Sequence, residues 1–139
     1  MSNLQDLNEL QVVMRTLYGE ARGQQLTGIE AVAHVIVNRA RSPVSWWGNT
    51  PRSVCLRAWQ FSCWNKNDPN RAIMLAVSLD QLRRSNSLSM AWQVLSGQLL
   101  DNTNGSLHYF NPKIANPRWA RGLEPVVVIG DHAFYNNVR

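Results

Sequence analysis

The sequence predicts an α+β domain that is mainly helical, with a small antiparallel sheet in its C-terminal third. The first observation is an N-terminal segment whose apolar residues recur at spacings of three and four, as on an amphipathic helix. The second is a change of character after Asn102–Gly105, where short β-branched and aromatic runs alternate with turn residues. No repeat or low-complexity linker divides the 139 residues, so positions 1–139 are predicted to form a single domain.

The helical elements follow in order along the chain. The first helix carries the apolar stripe Leu7, Leu10, Val13, Met14 and Leu17. A capping box, with Thr27 as N-cap and Glu30 reaching back to it, predicts the start of a buried second helix that ends before Pro43. Thr50–Pro51 indicates the start of a short helix that runs to about Arg57. Asp68 and Pro69 are predicted to be the N-cap and first residue of a third helix that runs to about Arg84. Ser87 is predicted to cap a fourth helix that ends near Gly97. Strands are predicted at 107–110, 126–129 and 132–135, the last two around the Gly130–Asp131 turn.

Glu20 occupies an unusual position on the first helix. Continuing the apolar stripe by one turn from Leu17 places Glu20 on the face that meets the core, between Gly19 and Gly23, which would leave open space beside it. Desolvation and the negative end of the helix dipole would both raise the pKa of this carboxyl group. A carboxyl group protonated near neutral pH is what a general acid requires. The alternative is that Glu20 turns to solvent or pairs with Arg15 or Arg22, since acidic residues are mostly exposed.

Charge and composition restrict the class of partner. The formal net charge is +5 and the isoelectric point is about 9.9, which favours polyanions such as nucleic acid, an anionic membrane or bacterial cell wall. The basic residues are scattered without a run of five, which argues against a nucleic-acid-binding arm. Six tryptophans are many for this length, and four of them fall within nineteen residues: Trp46, Trp47, Trp59 and Trp64.

The N-terminus and the cysteines give expectations about the compartment. The first ten residues combine acids and amides where a signal peptide needs a basic segment and an apolar run, so synthesis in the cytoplasm without a signal peptide is expected. Cys55 and Cys63 form no C-x-x-C pattern. Free buried thiols are the expected state, and a disulfide remains the alternative.

The motifs Tyr18–Gly23 and Ala31–Arg39 resemble those of the cell wall hydrolase family of the SleB/CwlJ type, which includes spore-cortex-lytic enzymes and phage lysins. The similarity continues through segments that extend over nearly the whole chain: Gln60–Ser62, His108–Pro112, Trp119 and Ile129–Phe134. The resemblance implies cleavage of the glycosidic bond after N-acetylmuramic acid, on a fold similar to lysozyme-like lytic transglycosylases. It also implies that the catalytic glutamate is Glu20. Many relatives have an acid at the position of Gln24, so a supporting role for a second carboxylate there is in doubt.

The acidic residues favour a reaction with one acid. Retaining glycosidases need a second carboxylate at about 5 Å and inverting ones a base at about 6.5–9.5 Å. Asp6 and Glu9 lie several turns down the first helix, Glu30 and Asp68 are interpreted as caps, and the remaining acids fall in turns or on polar faces. A lytic transglycosylase needs only one carboxyl group, acid then base, and no metal or cofactor.

Four residues are weaker candidates for the site. Ser62 could orient Glu20, and Tyr109 could hydrogen-bond it or contact the reacting sugar, whereas Trp64 and Asn111 could line a glycan groove. The structural alternatives are a loop hydroxyl that bonds its own backbone for Ser62 and a core aromatic for Tyr109. His108 and His132 are interpreted as structural or exposed.

Three other functions remain open. A muramidase would give a hydrolysed product from the same bond. A zinc amidase would take ligands from His34, His108, His132 and a cysteine or Asp131, although no H-x-x-x-H or H-E-x-x-H spacing exists. A basic nucleic-acid-binding module has the charge and the aromatics but no recognisable motif.

The sequence therefore predicts a small peptidoglycan-degrading enzyme, most simply a monomeric phage or prophage endolysin. Its expected partner is bacterial peptidoglycan, with no nucleic acid, and its charge could also bring it to an anionic outer membrane. It would reach the wall in the periplasm after a holin opens the inner membrane.

Overall fold

The computed structural model describes residue 4, residues 7–57 and residues 60–138. Within them the α-helices are α1 (Glu9–Ala21), α2 (Leu26–Arg41), α3 (Pro51–Leu56), α4 (Asn70–Ala76), α5 (Leu79–Arg84) and α6 (Ser87–Leu95). The strands are β1 (His108–Phe110), β2 (Val127–Ile129) and β3 (His132–Tyr135). Short 3-10 helices span Ser45–Trp47, Ser62–Trp64 and Arg118–Ala120. The fold class is thus the one that the sequence predicts.

The main core lies where α1, α2 and α6 pack together, with α3 against the first two. The stripe of α1 is buried as predicted, because Val13, Met14 and Leu17 are each at most 1% exposed. The middle of α2 is buried nearly all round, in agreement with its continuous apolar run. Both helices that carry the conspicuous motifs are therefore held on several sides.

The sheet is antiparallel, in the order β1-β3-β2, so β3 is central. Its register pairs Tyr109 with Phe134 and Val127 with Phe134 across the two ladders. Because side chains alternate along a strand, Tyr109 and Phe134 share one face, and that face packs on Ala31 and Val35 of α2. The opposite face carries a second aromatic cluster, which includes Phe110, Tyr135 and Trp119.

Three predictions about helix ends are wrong, and one of them is the Ser87 cap, because α6 has Asn86 as its N-cap and Ser87 as its first residue. The structure begins α2 at Leu26 with Gln25 as N-cap and no side-chain cap, so Thr27 does not cap the helix. Glu30 bonds His34 one turn further on, at 3.1 Å between Oε2 and Nε2, instead of reaching back. An i, i+4 partner of this kind satisfies the carboxylate within the helix.

The predicted helix from 68 to 84 is two helices. Asp68 still accepts a hydrogen bond from the Asn70 amide at 2.8 Å, but Pro69 is the N-cap of α4, and the chain becomes extended at Val77 before Ser78 caps α5. The interruption is stabilised from outside, because the buried Arg15 donates to the carbonyls of Met74 (2.8 Å) and Val77 (2.9 Å). The Arg15 guanidinium thus donates to carbonyl groups that would have accepted from backbone N–H groups if the helix had continued.

Other local predictions are confirmed. Thr50 and Ser53 form a capping box at α3, with Pro51 in the first turn. Cys55 and Cys63 are both free and buried, and burial raises the pKa of each thiol, so both stay protonated. None of the helices in the described part of the chain is long and apolar enough to span a membrane.

Candidate active site

Glu20 lies in the last turn of α1, where the helix packs against the 3-10 helix Ser62–Trp64 and against α4. The packing depends on Gly19, because a Cβ at that position would lie 2.6 Å from the Met74 sulfur and 3.0 Å from the Cys63 sulfur. The expectation that both flanking glycines leave open space is therefore wrong for Gly19. It holds for Gly23, where a Cβ would meet nothing within 4 Å.

The surroundings of Glu20 raise its pKa from the usual 4.5 to about 7. Burial is the largest cause, since desolvation penalises the charged carboxylate. The hydrogen bond from Tyr109 opposes it, followed by the smaller effects of the Asp68 charge, which raises the pKa, and the Arg39 charge, which lowers it. Glu20 is consequently divided between acid and carboxylate near neutral pH, the condition under which one group can both give and take a proton.

The two arginines proposed as alternative partners of Glu20 are engaged elsewhere. Arg15 points away, to the carbonyls at the end of α4. Arg22 donates to the Tyr18 carbonyl at 3.0 Å and lies over the Tyr18 ring, 4.8 Å from its centroid. No ion pair joins either of them to Glu20.

Arg39 is a buried cation whose charge acts on Glu20. It comes from the last turns of α2 and is 7% exposed. Its guanidinium donates to the Leu107 carbonyl at 2.7 Å and to the Gln60 side chain at 2.9 Å. It also stacks over the rings of Trp47 (4.8 Å) and Phe61 (5.5 Å), which are favourable cation–π distances. Arg39 therefore holds the start of β1 and the loop before Ser62 in fixed positions around Glu20.

Tyr109 reaches the site from the middle of β1. Its ring stacks on Phe134 at 5.6 Å and meets His132 edge-on at 5.0 Å, so it is also part of the packed face of the sheet. Burial, followed by the charge of Glu20, raises the pKa of the Tyr109 hydroxyl well above its usual value, which keeps it a hydrogen-bond donor. Its neighbour His108 has a pKa lowered to about 4 by burial and by the charge of Arg39, and is therefore neutral at pH 7.

The three other predicted site residues have differing surroundings. Ser62 is exposed at the start of its 3-10 helix. Trp64 is 5% exposed and its indole N–H donates to Thr16 at 2.7 Å, so that edge of the ring is committed to the core. Asn111 follows β1 and accepts a hydrogen bond from the Lys113 amide at 2.9 Å, which shapes the turn. Trp59 and Asp6, singled out in the sequence, lie outside the described residues.

A cavity of about 630 Å³ lies beside this site, on the side of the loop that follows Ser62. Asp68 lines it and is half-buried, and its charge is the one carboxylate influence among the causes of the Glu20 shift. The other described residues that line the cavity include both cations and carboxamides: Leu56, Trp64, Asn65, Lys66, Asn67, Pro69 and Arg71.

Gln24, where many relatives have an acid, has a structural contact. Its amide donates to the Asp131 carboxylate at 3.1 Å and its carbonyl oxygen accepts from the Asp131 amide at 3.2 Å. Gly130 is required next to it, since φ is +59° there and a Cβ would lie 2.5 Å from the Gln24 oxygen. Gln24 thus fastens the end of α1 to the turn between β2 and β3.

The donor set for a metal is not assembled in the part of the chain that the structure describes. No group of three His, Cys, Asp or Glu side chains there could hold a metal ion. His34, one proposed zinc ligand, is bonded to Glu30 on its own helix.

Arg39 and Asp68 are the site neighbours that sequence reasoning missed. Arg39 belongs to a motif that carried the family resemblance, but its partners Gln60 and Leu107 lie 21 and 68 residues away. In the sequence, Asp68 has only the pattern of a helix cap. The sequence signal was present for Arg39, whereas nothing local distinguished Asp68 from an ordinary cap.

Fold and site together define a class: a small, mainly helical α+β domain in which one half-buried carboxyl group of raised pKa, Glu20, lies near a cavity, an arrangement typical of acid–base enzymes. The chain belongs to the cell wall hydrolase family, whose sequence profile matches residues 23–135. That match begins three residues after Glu20.

Relatives and solved structures extend the similarity over more of the chain. The spore cortex-lytic enzymes of Halalkalibacterium halodurans and Bacillus subtilis are each 30% identical, over 93% and 91% of this chain. The chain spans only 35% and 37% of their lengths. The catalytic domain of the germination-specific lytic transglycosylase SleB from Bacillus anthracis superposes with a TM-score of 0.73 at 26% identity, covering 97% of this chain and 99% of that domain. The Bacillus cereus SleB catalytic domain gives a TM-score of 0.72 over 91% of this chain.

Proposed function

We propose that this protein is a lytic transglycosylase that cleaves peptidoglycan strands between N-acetylmuramic acid and N-acetylglucosamine, with Glu20 as the catalytic residue. The observation that carries the proposal is the half-buried Glu20 carboxyl group, whose pKa of about 7 suits both halves of the reaction. The similarity to the SleB catalytic domain, which is described as a lytic transglycosylase, supports the reaction class.

The reaction needs one proton carrier. Protonated Glu20 gives its proton to the glycosidic oxygen as the bond from the muramic C1 breaks and the N-acetylglucosamine leaves. The C6 hydroxyl of the same muramic residue attacks C1, and its proton returns to the Glu20 carboxylate. The product is a 1,6-anhydro sugar, Glu20 ends protonated, and no water is consumed.

The neighbours of Glu20 fit this cycle. Desolvation favours the protonated form that begins the reaction, whereas Tyr109 and Arg39 favour the carboxylate that forms in the middle of it. Ser62 stays a proposed orienting residue at the exposed edge, and Asn111 and Trp64 stay proposed contributors to the glycan groove.

Hydrolysis is the second candidate because Asp68 is present. A muramidase would need a second carboxylate at a distance set by its stereochemistry, and Asp68 is the acid whose charge reaches Glu20. In that case water replaces the C6 hydroxyl and the muramic ends are reducing.

The test is mass spectrometry of muropeptides released from purified peptidoglycan, with Glu20→Gln as the inactive control and Glu30→Gln as the matched variant on the next helix. We expect anhydro-muramic ends, one water lighter than hydrolysed ends, from wild type and Glu30→Gln but not from Glu20→Gln. Reducing ends would identify a muramidase. Cleaved stems on intact glycan would overturn the proposal and favour an amidase.

For the biological role we propose an endolysin, made in the host cytoplasm and released to the wall by a holin. The charge of +5 supports electrostatic approach to anionic envelope lipids. Its relatives are named for spore cortex, so the two settings are compared directly: lysis of cells that co-express a holin, against release of material from purified cortex. Lysis that depends on the holin supports the endolysin role, and activity confined to cortex overturns it.

A further inference from the structure

The cavity beside Glu20, lined by Leu56, residues 64–69 and Arg71, is charged in a way that a sugar-binding groove does not need. Among the residues that the structure describes, two cations and one carboxylate line it, together with the carboxamides of Asn65 and Asn67. Its volume of about 630 Å³ lies within the range of ligand pockets, roughly 300–1,000 Å³. It can therefore hold a ligand of two or three amino acid residues.

Arg71 is the best-placed of these charges. One of its terminal nitrogens donates to the Trp64 carbonyl at 2.7 Å, which fixes the half-buried guanidinium against the cavity wall. A guanidinium has five N–H donors in a rigid fork that matches a carboxylate. Lys66 adds an exposed ammonium group to the same lining. Asp68 is oriented by the Asn70 amide and supplies the one negative charge.

Three observations connect the segment that lines the cavity with α1 and Glu20. Cys63 packs against Gly19 next to Glu20, the Trp64 indole bonds Thr16 on α1, and the Asp68 charge acts on Glu20 itself. A ligand in the cavity would therefore lie on the loop side of Glu20, which is not itself part of the cavity lining.

We propose that this cavity binds the peptide stem carried by the muramic residue at the cleavage site, and so makes the enzyme selective for stem-bearing strands. The inference rests on the proposed function. The stem leaves the sugar through the lactyl ether on C3, two ring carbons from the reacting C1. Its free carboxylates are bound by Arg71 and Lys66, the ammonium group of a diamino acid by Asp68, and its peptide groups by the two carboxamides.

A bare glycan would use only part of this charge pattern. N-acetylglucosamine is neutral, and a muramic residue without its stem carries only the lactyl carboxylate, so it offers a partner for a cation but none for Asp68. The stem carries charges of both signs along a short chain, and the cavity presents complementary charges of both signs within one short segment. Charge therefore favours the peptide over a second sugar as the occupant.

The experiment compares two substrates: intact sacculi, and the same sacculi stripped of stems by an amidase. Initial rates of anhydro-end release are measured for wild type, Lys66→Glu and Arg71→Lys. Arg83→Glu is the matched control, because Arg83 is an exposed cation on α5 outside the cavity lining. It changes the net charge as Lys66→Glu does. Thermal unfolding of every variant checks the fold.

We expect wild type to prefer the intact substrate by about tenfold or more in kcat/KM, as loss of charge-assisted contacts predicts. Lys66→Glu and Arg71→Lys should lose most of that preference, and Arg83→Glu should keep it. Equal wild-type rates on both substrates, or equal losses in Lys66→Glu and Arg83→Glu, would overturn the proposal.

A binding measurement separates this proposal from the proposed reaction. Glu20→Gln is titrated with soluble stem-bearing and stem-free strands. Preferential binding to stem-bearing strands that Lys66→Glu abolishes would support the cavity assignment even if cleavage proved to be hydrolytic. Absence of anhydro ends from both substrates would count against the transglycosylase alone, whereas equal binding of both strands would count against the cavity.

Discussion

Glu20 faces two unlike sides of the molecule. On the sheet side it meets Tyr109 of β1 and the charge of Arg39, both of which favour the carboxylate. On the loop side lie Cys63, which packs against the neighbouring Gly19, and the charge of Asp68, which favours the acid, and the charged cavity begins there. The sheet side is closed and fixed by hydrogen bonds, whereas the loop side is open to a ligand.

The difference shows how the proton of Glu20 is held. Burial is the largest cause of its raised pKa, and the charges on the two sides act against each other. Burial, more than the neighbouring Asp68 carboxylate, therefore keeps a large part of the group protonated near neutral pH. A pair of opposed charges leaves both protonation states accessible, as a group that acts first as acid and then as base requires.

The largest effect is expected on the sheet side, for Arg39→Met. This change removes the bonds to Leu107 and Gln60 and leaves a half-buried carbonyl without its donor, at a cost on the order of 3 kcal/mol of unfolding free energy. Displacement of β1 and of the loop should lower kcat by about 100-fold. Chemical denaturation and initial-rate measurements check the two effects.

Arg39→Lys separates charge from shape at the same position. It keeps the positive charge beside Glu20 but not the forked hydrogen bonds. The basic limb of the pH–rate profile is the fall in rate as Glu20 loses its proton. We expect this limb to stay at its wild-type pH in Arg39→Lys and to lie at higher pH in Arg39→Met. An unmoved limb in both variants would show that Arg39 acts only through packing.

The next effect is on stability, for Glu20→Gln. The folded-state pKa of about 7 lies above the usual 4.5, so the folded protein is most stable below the lower value and loses stability as pH rises through the higher one. The loss is on the order of 3 kcal/mol by pH 8. Thermal unfolding should therefore show that the stability of Glu20→Gln increases relative to wild type between pH 4.5 and pH 8. A stability difference that does not depend on pH would contradict the burial argument.

Tyr109→Phe is a smaller change on the sheet side. The ring and its stacking on Phe134 are kept, and only the hydroxyl that favours the Glu20 carboxylate is lost. The pKa of Glu20 should rise and kcat should fall by about tenfold, as loss of one hydrogen bond to a charged group predicts. The pH dependence of kcat/KM measures both. Loss of activity with no movement of the basic limb would point to a contact with sugar instead.

The smallest effect is expected on the loop side, for Asp68→Asn. The amide oxygen can still accept from Asn70, so α4 should begin as before, while the charge that raises the pKa of Glu20 is removed. The basic limb should move to lower pH by a fraction of a unit, opposite to Arg39→Met. Asp80→Asn, an exposed acid paired with Arg83 on α5, is the charge control. If the basic limb moved equally in Asp68→Asn and Asp80→Asn, the charge of Asp68 would have no specific effect on Glu20.

Local spacing predicted the elements whose partners lie within a few residues. The α1 stripe, the Thr50 cap, the strands around Gly130 and the position of Glu20 all follow from periodicity or turn chemistry. The Thr27 capping box failed because Glu30 has an equally local competitor in His34. The long third helix failed because Arg15, more than fifty residues earlier, satisfies the carbonyls at its break.

By itself the sequence determined which face of each helix is buried and that an acid ends one of those faces. Only the tertiary structure decided what surrounds that acid: Gly19 in close contact with Cys63 and Met74, Arg39 fixed between Gln60 and Leu107, and Asp68 beside the cavity. The physical reason is the distance along the chain between the residues that interact. Periodicity encodes burial within one element, whereas the field at a carboxyl group is the sum over neighbours brought from distant parts of the chain.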